Sequence, residues 1–279
     1  MPNKFDDLGN AEIFSTWCFN LEYKEIPNEV IDKIKLIFMD SLGLIFASRN
    51  EDYIKAIKQS FTDSGNCTVP GHLEKLCPSD AIVLNGTAIH GEDFDDTFEG
   101  TPVHVGSVMC SSLLTAAEYY KLKPKEILKG LAVGSELMCR LALVSPMAIH
   151  KQGFHPTAIL GAFGASIGIS KILKNSVLQT TSSLGIVGSM ASGIIEYLAE
   201  GTWTKRLHPG WAGASGWKSA HLGKNNFKGP RTVFEGKNGI FNSFADRKII
   251  PDFKKLTDDL GSYWHCLLYT SPSPRDLRL

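Results

Sequence analysis

Apolar residues recur every three or four positions over most of the chain, the period of helices buried along one face. Val30, Ile31, Ile34, Ile37, Phe38, Leu42 and Ile45 follow that spacing. Pro27 suits the first turn of a helix running to about residue 47. A second amphipathic helix is predicted over residues 51–62, ended by DSGN, where Gly65 is free to take positive φ. Residues 67–71 read as a brief extended piece, and Ser79 or Asp80 as the cap of a helix that runs into His90. Helices are then expected over residues 105–120, 124–143, 155–173 and 177–199. From Gly201 a glycine- and tryptophan-rich loop should enter a short helix after Pro209, and residues 252–261 should begin another. The pattern predicts an all-α fold class.

Two of these helices are rich in small residues, Gly161, Gly164, Ala165 and Gly168 in one and Gly185, Gly188, Ala191 and Gly193 in the other. Glycine weakens a helix by up to about 1 kcal/mol per position, so its repetition calls for a close approach of buried helices. Embedded charges (Glu136, Arg140, Lys171, Glu196) interrupt every long apolar run, which argues against a membrane span. Lys+Arg and Asp+Glu are equal at 29 each in 279 residues, without the basic excess that nucleic-acid binding requires. The N-terminal MPNKFDDLGN lacks the apolar centre of a signal peptide. The six cysteines form no CxxC pair, so reduced thiols and a cytoplasmic location are expected.

The tail CLLYTSPSPRDLRL, residues 266–279, breaks from all preceding periodicity. Its first part reads as a translated sequencing adapter, so the tail is expected to be an artefact and the natural sequence to continue past His265. On that reading the chain is a fragment.

The chemistry concentrates in NGTAIHGEDFDDTFEGTPVHVGS, residues 85–107. Glu92, Asp93, Asp95 and Asp96 stand beside His90, His104, Thr97 and Thr101, at the C-terminal end of a predicted helix. Carboxylates there face the negative pole of the helix dipole, a conflict with the local rule that points to function. A site that moves protons has a use for that density. HxxDxDD from His90 carries metal-ligand residue types, but it lacks both the paired histidines of zinc helices and the calcium-loop spacing, so no metal is expected. No phosphate-binding glycine motif and no serine nucleophile elbow occurs, and no cofactor is expected. Elsewhere, His155-Pro156-Thr157 opens a helix whose free N–H groups suit an anion, and Lys205 and Arg206 add cationic charge.

Three motifs in order, NGTAIHGEDFDDT with His104–Ser107 after it, GFHPTAILGAFGAS and GTWTKRLHPGWA, resemble the MmgE/PrpD family over roughly residues 14–246. Its members include 2-methylcitrate dehydratase, cis-aconitate decarboxylase and iminodisuccinate epimerase. The resemblance implies a large helical domain over residues 1–250, and an α/β lid domain of which only residues 251–265 remain. It also implies a homodimer in the full-length parent and no required metal. Carried over by motif, Asp93, His104 and Lys205 are the expected catalytic residues. Thr97, His155 and Arg206 are expected to bind a small polycarboxylate, with Asp93 orienting His104 as general acid/base. A further lysine and tyrosine of the family would fall in the missing lid. Val105 departs from the proline that many members carry there, which touches loop shape more than chemistry. The expected activity is that of a carbon–oxygen lyase of the 2-methylcitrate dehydratase type. Decarboxylation or epimerisation on the same scaffold, and a non-catalytic helical binding protein, are the alternatives.

Overall fold

The computed structural model describes residues 8–99 and 101–267, and among them helices dominate. Residues 1–7 and most of the suspected adapter tail, residues 268–279, lie outside that range. Helix α1 (Asn10–Asn20) precedes α2 (Asn28–Ser48), which starts directly after Pro27 and buries Val30, Ile31, Ile34 and Ile45. After α3 (Asp52–Ser60) come two antiparallel strands, β1 (Ser64–Thr68) and β2 (Lys75–Leu76), the sole sheet among the described residues. Gly65 lies within β1 and not in a positive-φ turn; a Cβ there would come within 2.2 Å of the Leu76 carbonyl oxygen, so close strand approach explains the glycine.

Helix α4 (Pro78–His90) begins with proline at its first position, and its N-cap is Cys77 instead of Ser79 or Asp80. Next are α5 (Val105–Tyr120), α6 (Pro124–Val144), the short α7 (Ala148–Lys151) and α8 (Pro156–Ile172). The predicted helix over residues 177–199 is broken: α9 (Val177–Gly188) stops, the chain turns through Gly193 at φ 141°, and α10 (Tyr197–Glu200) follows. By contrast α11 (Thr204–Lys224) starts earlier than expected and carries Pro209 inside it. That proline lacks the N–H that would bond the Lys205 carbonyl one turn back. Short helices α12 (Ile240–Phe244) and α13 (Lys254–Thr257) follow, so residues 252–261 form only one helical turn, and a 3-10 turn over His265–Leu267 ends the described chain.

Helix α8 is the hub. Every residue except Lys171 is buried, and α5, α6, α9 and α11 surround it. A helix apolar on all sides belongs in an interior. Gly134 of α6 faces Gly164 of α8 so closely that a Cβ on Gly134 would come within 2.5 Å of the Gly164 carbonyl oxygen. Gly86 and Gly210 do the same for α4 and α11, where a Cβ on Gly86 would sit 2.5 Å from Gly210 Cα. This second crossing sets the end of α4 beside the first turns of α11, and so brings the acidic segment to Lys205. No helix among the described residues is long and apolar enough to cross a membrane. The segment expected to open a second domain is anchored to the helical body: Leu256 and Trp264 are buried in its core.

Candidate active site

The site begins at the end of α4. His90 is buried there, and the Asp93 N–H donates back to its carbonyl oxygen at 3.0 Å. Asp93 itself sits at φ 61°, in the left-handed region that aspartate tolerates better than most residues. Buried Phe98 then pins the loop, its N–H donating to the Val103 carbonyl oxygen at 2.9 Å. His104 becomes the N-cap of α5, and its own N–H donates to Thr157 Oγ1 at 3.1 Å on the first turn of α8. Opposite, the His155 N–H donates to the Gly193 carbonyl oxygen at 2.8 Å. Lys205 and His208 lie three apart on α11 and share a face.

Folding joins most of the expected residues. Lys205 Nζ pairs with Asp93 Oδ1. His104 Nε2 is 3.9 Å from Asp93 Oδ1, and Thr97 Oγ1 is 3.5 Å from His104 Nδ1. His155 connects through His90: the His90 and His155 rings stack at 5.7 Å between centroids, and His90 meets His104 edge-on at 4.6 Å. Arg206 turns elsewhere. Its guanidinium lies over the Tyr53 ring at 4.3 Å and reaches Glu92 Oε1 at 3.4 Å, because neighbouring helical positions diverge by about 100°. The structure therefore sets Arg206 beside Tyr53 and Glu92, apart from the Lys205–Asp93 pair.

Asp95 is the partner that the motif reading passed over. Only 3% exposed, it bridges two imidazoles: His90 Nδ1 at 2.9 Å and His104 Nδ1 at 3.3 Å. Asp95, and not Asp93, therefore makes the shorter contact that orients His104. Burial opposes ionisation of Asp95, yet the two imidazoles outweigh it and hold the carboxyl well below the usual carboxylate range. Burial likewise opposes protonation of His104, and Asp95 overcomes it, so this pKa is raised. The other rings go the opposite way. Burial lowers His90 despite Asp95, lowers His155 well below its ordinary value, and brings His208 to about 4. Burial pushes Asp93 up, but Lys205 together with His90 and His104 gives a net lowering. Of these four rings, His104 alone is shifted upward. Histidine and lysine offset the unfavourable helix-end placement of the acids. His208 and Tyr197 were also missed; the i, i+3 spacing from Lys205 was the available signal for His208.

The ligand atoms of His90, Asp93, Asp95 and His104 lie within 4.8 Å of one another, a convergence that linear spacing did not reveal. Both carboxylates are already committed, Asp93 to the Lys205 ammonium and Asp95 to the imidazoles.

Asp96 points away from this set. Its Oδ1 accepts the Gly106 N–H at 2.8 Å, capping α5, while Oδ2 is buried without a partner. Burial and the neighbouring Asp95 raise its pKa to about 7. A carboxyl raised from about 4 in the unfolded chain destabilises the fold as it ionises. The cost grows from about pH 4 and is complete once pH passes the folded value. Asp96→Asn keeps an acceptor for Gly106 and removes the charge. Thermal melts should show the variant more stable than wild type at pH 8 and equal to it at pH 4; the same offset at both would rule out a buried-charge origin.

Residues 12–251 match the model of the MmgE/PrpD N-terminal domain. Among curated proteins, the chain is 28% identical over 264 residues to the cis-aconitate decarboxylase-like protein oryM of Aspergillus oryzae, covering 89% of this chain and 54% of that protein. It is 28% identical over 280 residues to cis-aconitate decarboxylase of Homo sapiens, covering 91% and 57% respectively. Identity to the Mus musculus cis-aconitate decarboxylase is 30% over 247 residues, 85% and 50% of the two chains. The chain spans about half the length of the curated relatives it matches.

Proposed function

Because the chain belongs to the MmgE/PrpD family, we propose that it carries part of the active site of a lyase acting on a small di- or tricarboxylate. The observation that carries this reading is His104, held by buried Asp95 at 3.3 Å beside the Lys205–Asp93 pair, with its pKa raised by Asp95. An anionic substrate needs fixed cations and donors; Lys205, Thr97 and His155 supply them. A proton must then be delivered next to a carboxylate, and His104, its pKa raised by Asp95, is the group that delivers it in this reading.

The relatives named above favour decarboxylation over the dehydration expected from the motifs. In that reaction the C–C bond to one carboxylate breaks and carbon dioxide leaves. The electron pair stays on carbon, spread over adjacent unsaturation, and the His104 imidazolium gives its proton to that carbon. The neutral ring is reprotonated from water. In dehydration the same proton would go to the departing hydroxyl, so 2-methylcitrate-type chemistry is the second reading. Homodimeric assembly and a cytoplasmic setting belong to the same proposal, through the family resemblance and the cysteine usage.

The full-length protein should be assayed against cis-aconitate, 2-methylcitrate and citrate, with released carbon dioxide, alkene absorbance and product stereochemistry recorded. Carbon dioxide from cis-aconitate, lost in His104→Ala and Lys205→Ala, is the expected result. Turnover of none of the three would remove the lyase reading and favour a binding protein. The 279-residue chain, which spans about half the length of the curated relatives it matches, is expected to be inactive alone.

A further inference from the structure

Behind the site two imidazoles face each other: His155 Nδ1 is 3.1 Å from His208 Nδ1. Their rings tilt by 42° with centroids 5.3 Å apart, and the residues are only 3% and 9% exposed. A nitrogen–nitrogen contact this short needs one proton on the axis, since two lone pairs repel and two N–H groups clash. Burial lowers both pKa values, His208 to about 4 and His155 well below the ordinary value, so both rings are neutral near pH 7. Each ring then carries one proton. One must be the Nδ1–H tautomer and the other the Nε2–H tautomer.

We propose that His208 is a positioning residue that donates its Nδ1–H to His155 Nδ1, and so fixes His155 as the Nε2–H tautomer that donates to a substrate carboxylate. The direction rests on the polycarboxylate reading: a lone pair at His155 Nε2 would repel an anion, whereas an N–H holds it. The fold supports the pair from three sides. α11 places His208 one turn after Lys205. The Tyr197 ring packs edge-on against both, 6.0 Å from His155 and 5.7 Å from His208. Gly193 closes the third side, where a Cβ would come within 3.2 Å of His208 Nδ1 and 2.6 Å of the Ala158 Cβ. Gly193 also accepts the His155 N–H, so one glycine fixes the backbone of one histidine and leaves room for the ring of the other. In this arrangement His155 has a single free ring nitrogen for the substrate, and its hydrogen-bonding sense is set by a residue that touches no substrate.

The test reads the tautomers directly. Long-range proton–nitrogen correlation spectra of the 279-residue chain at pH 7.5, with rings assigned through His155→Gln and His208→Gln, should show neutral Nε2–H at His155 and neutral Nδ1–H at His208. His208→Asn retains an amide N–H near the position of Nδ1 and should keep the His155 tautomer; His208→Leu should release it to a mixture. In the full-length enzyme His208→Leu should raise KM roughly tenfold with a smaller change in kcat, as loss of one hydrogen bond to a charged ligand would. The reverse tautomers, an imidazolium at either ring, or an unchanged KM in His208→Leu would overturn the inference. Failure of the lyase reading looks different: the tautomers stand as stated, but no polycarboxylate is turned over.

Discussion

Arg140→Ala is expected to cost about 3–5 kcal/mol of stability, the range for breaking a buried ion pair from one side. Arg140 is fully buried in α6 and its Nε donates to Glu136 Oε1 at 2.6 Å, one helical turn away. The rest of the guanidinium holds backbone. Nη1 donates to the Asp258 carbonyl oxygen at 2.7 Å and Nη2 to that of Tyr263 at 2.9 Å. Glu136 in turn accepts the N–H groups of His265 at 3.1 Å and Cys266 at 3.0 Å. One pair therefore ties residues 258–266 to the helical body, and its loss strands a buried carboxylate together with several carbonyls. Urea unfolding should show the loss, and hydrogen exchange should show earliest opening in that segment. The double variant Arg140→Met with Glu136→Met should recover part of the stability, because neither charge is then left alone. A single variant within about 1 kcal/mol of wild type would mean that the pair is incidental to the fold.

That pair also marks where the sequence was hardest to read. Glu136 and Arg140 stood out only as charges that interrupt an apolar run, and nothing local pairs them with backbone more than a hundred residues later. What the sequence did disclose was governed by local physics. α5, α6 and α8 fall within a residue or so of expectation, since His104, Pro124 and Pro156 mark their starts and apolar spacing runs through them. The errors lie where tertiary contacts decide. Residues 177–199 look helical, but Gly193 is claimed by the backbone of His155 and the ring of His208, and the helix breaks. Pro209 looks like a helix start, yet close packing of Gly210 on Val83 holds the turn before it helical. At the site, Asp93, Thr97, His104 and Lys205 were picked out by family motifs, and the structure sets them side by side. Asp95 and His208 were not, because their importance lies in which ring nitrogen they face.

Asp95 consequently offers the sharpest test of the chemistry. Its carboxylate is what raises the His104 pKa against burial. Asp95→Asn removes the charge and keeps the shape, so burial should prevail and the His104 pKa should fall below its ordinary value of about 6.5. If His104 acts as the acid, activity is lost as pH rises through its pKa. The alkaline limb of kcat/KM should therefore move to lower pH in the variant. At pH 7.5 the full-length variant should lose about 10²-fold or more in kcat, the usual share of a positioned general acid. Stability must shift in the matching sense. A histidine raised in the fold stabilises below the unfolded pKa of about 6.5, and that contribution disappears as pH rises through the folded value. The depressed Asp95 contributes above about pH 4 and fails on acidification. Wild type should therefore exceed Asp95→Asn in stability most clearly between about pH 4 and 6.5, where both terms operate, with the gap narrowing on either side. A kcat/KM profile that drops in height without moving along the pH axis would instead make Asp95 a packing residue, and would leave the protonation of His104 to some other group.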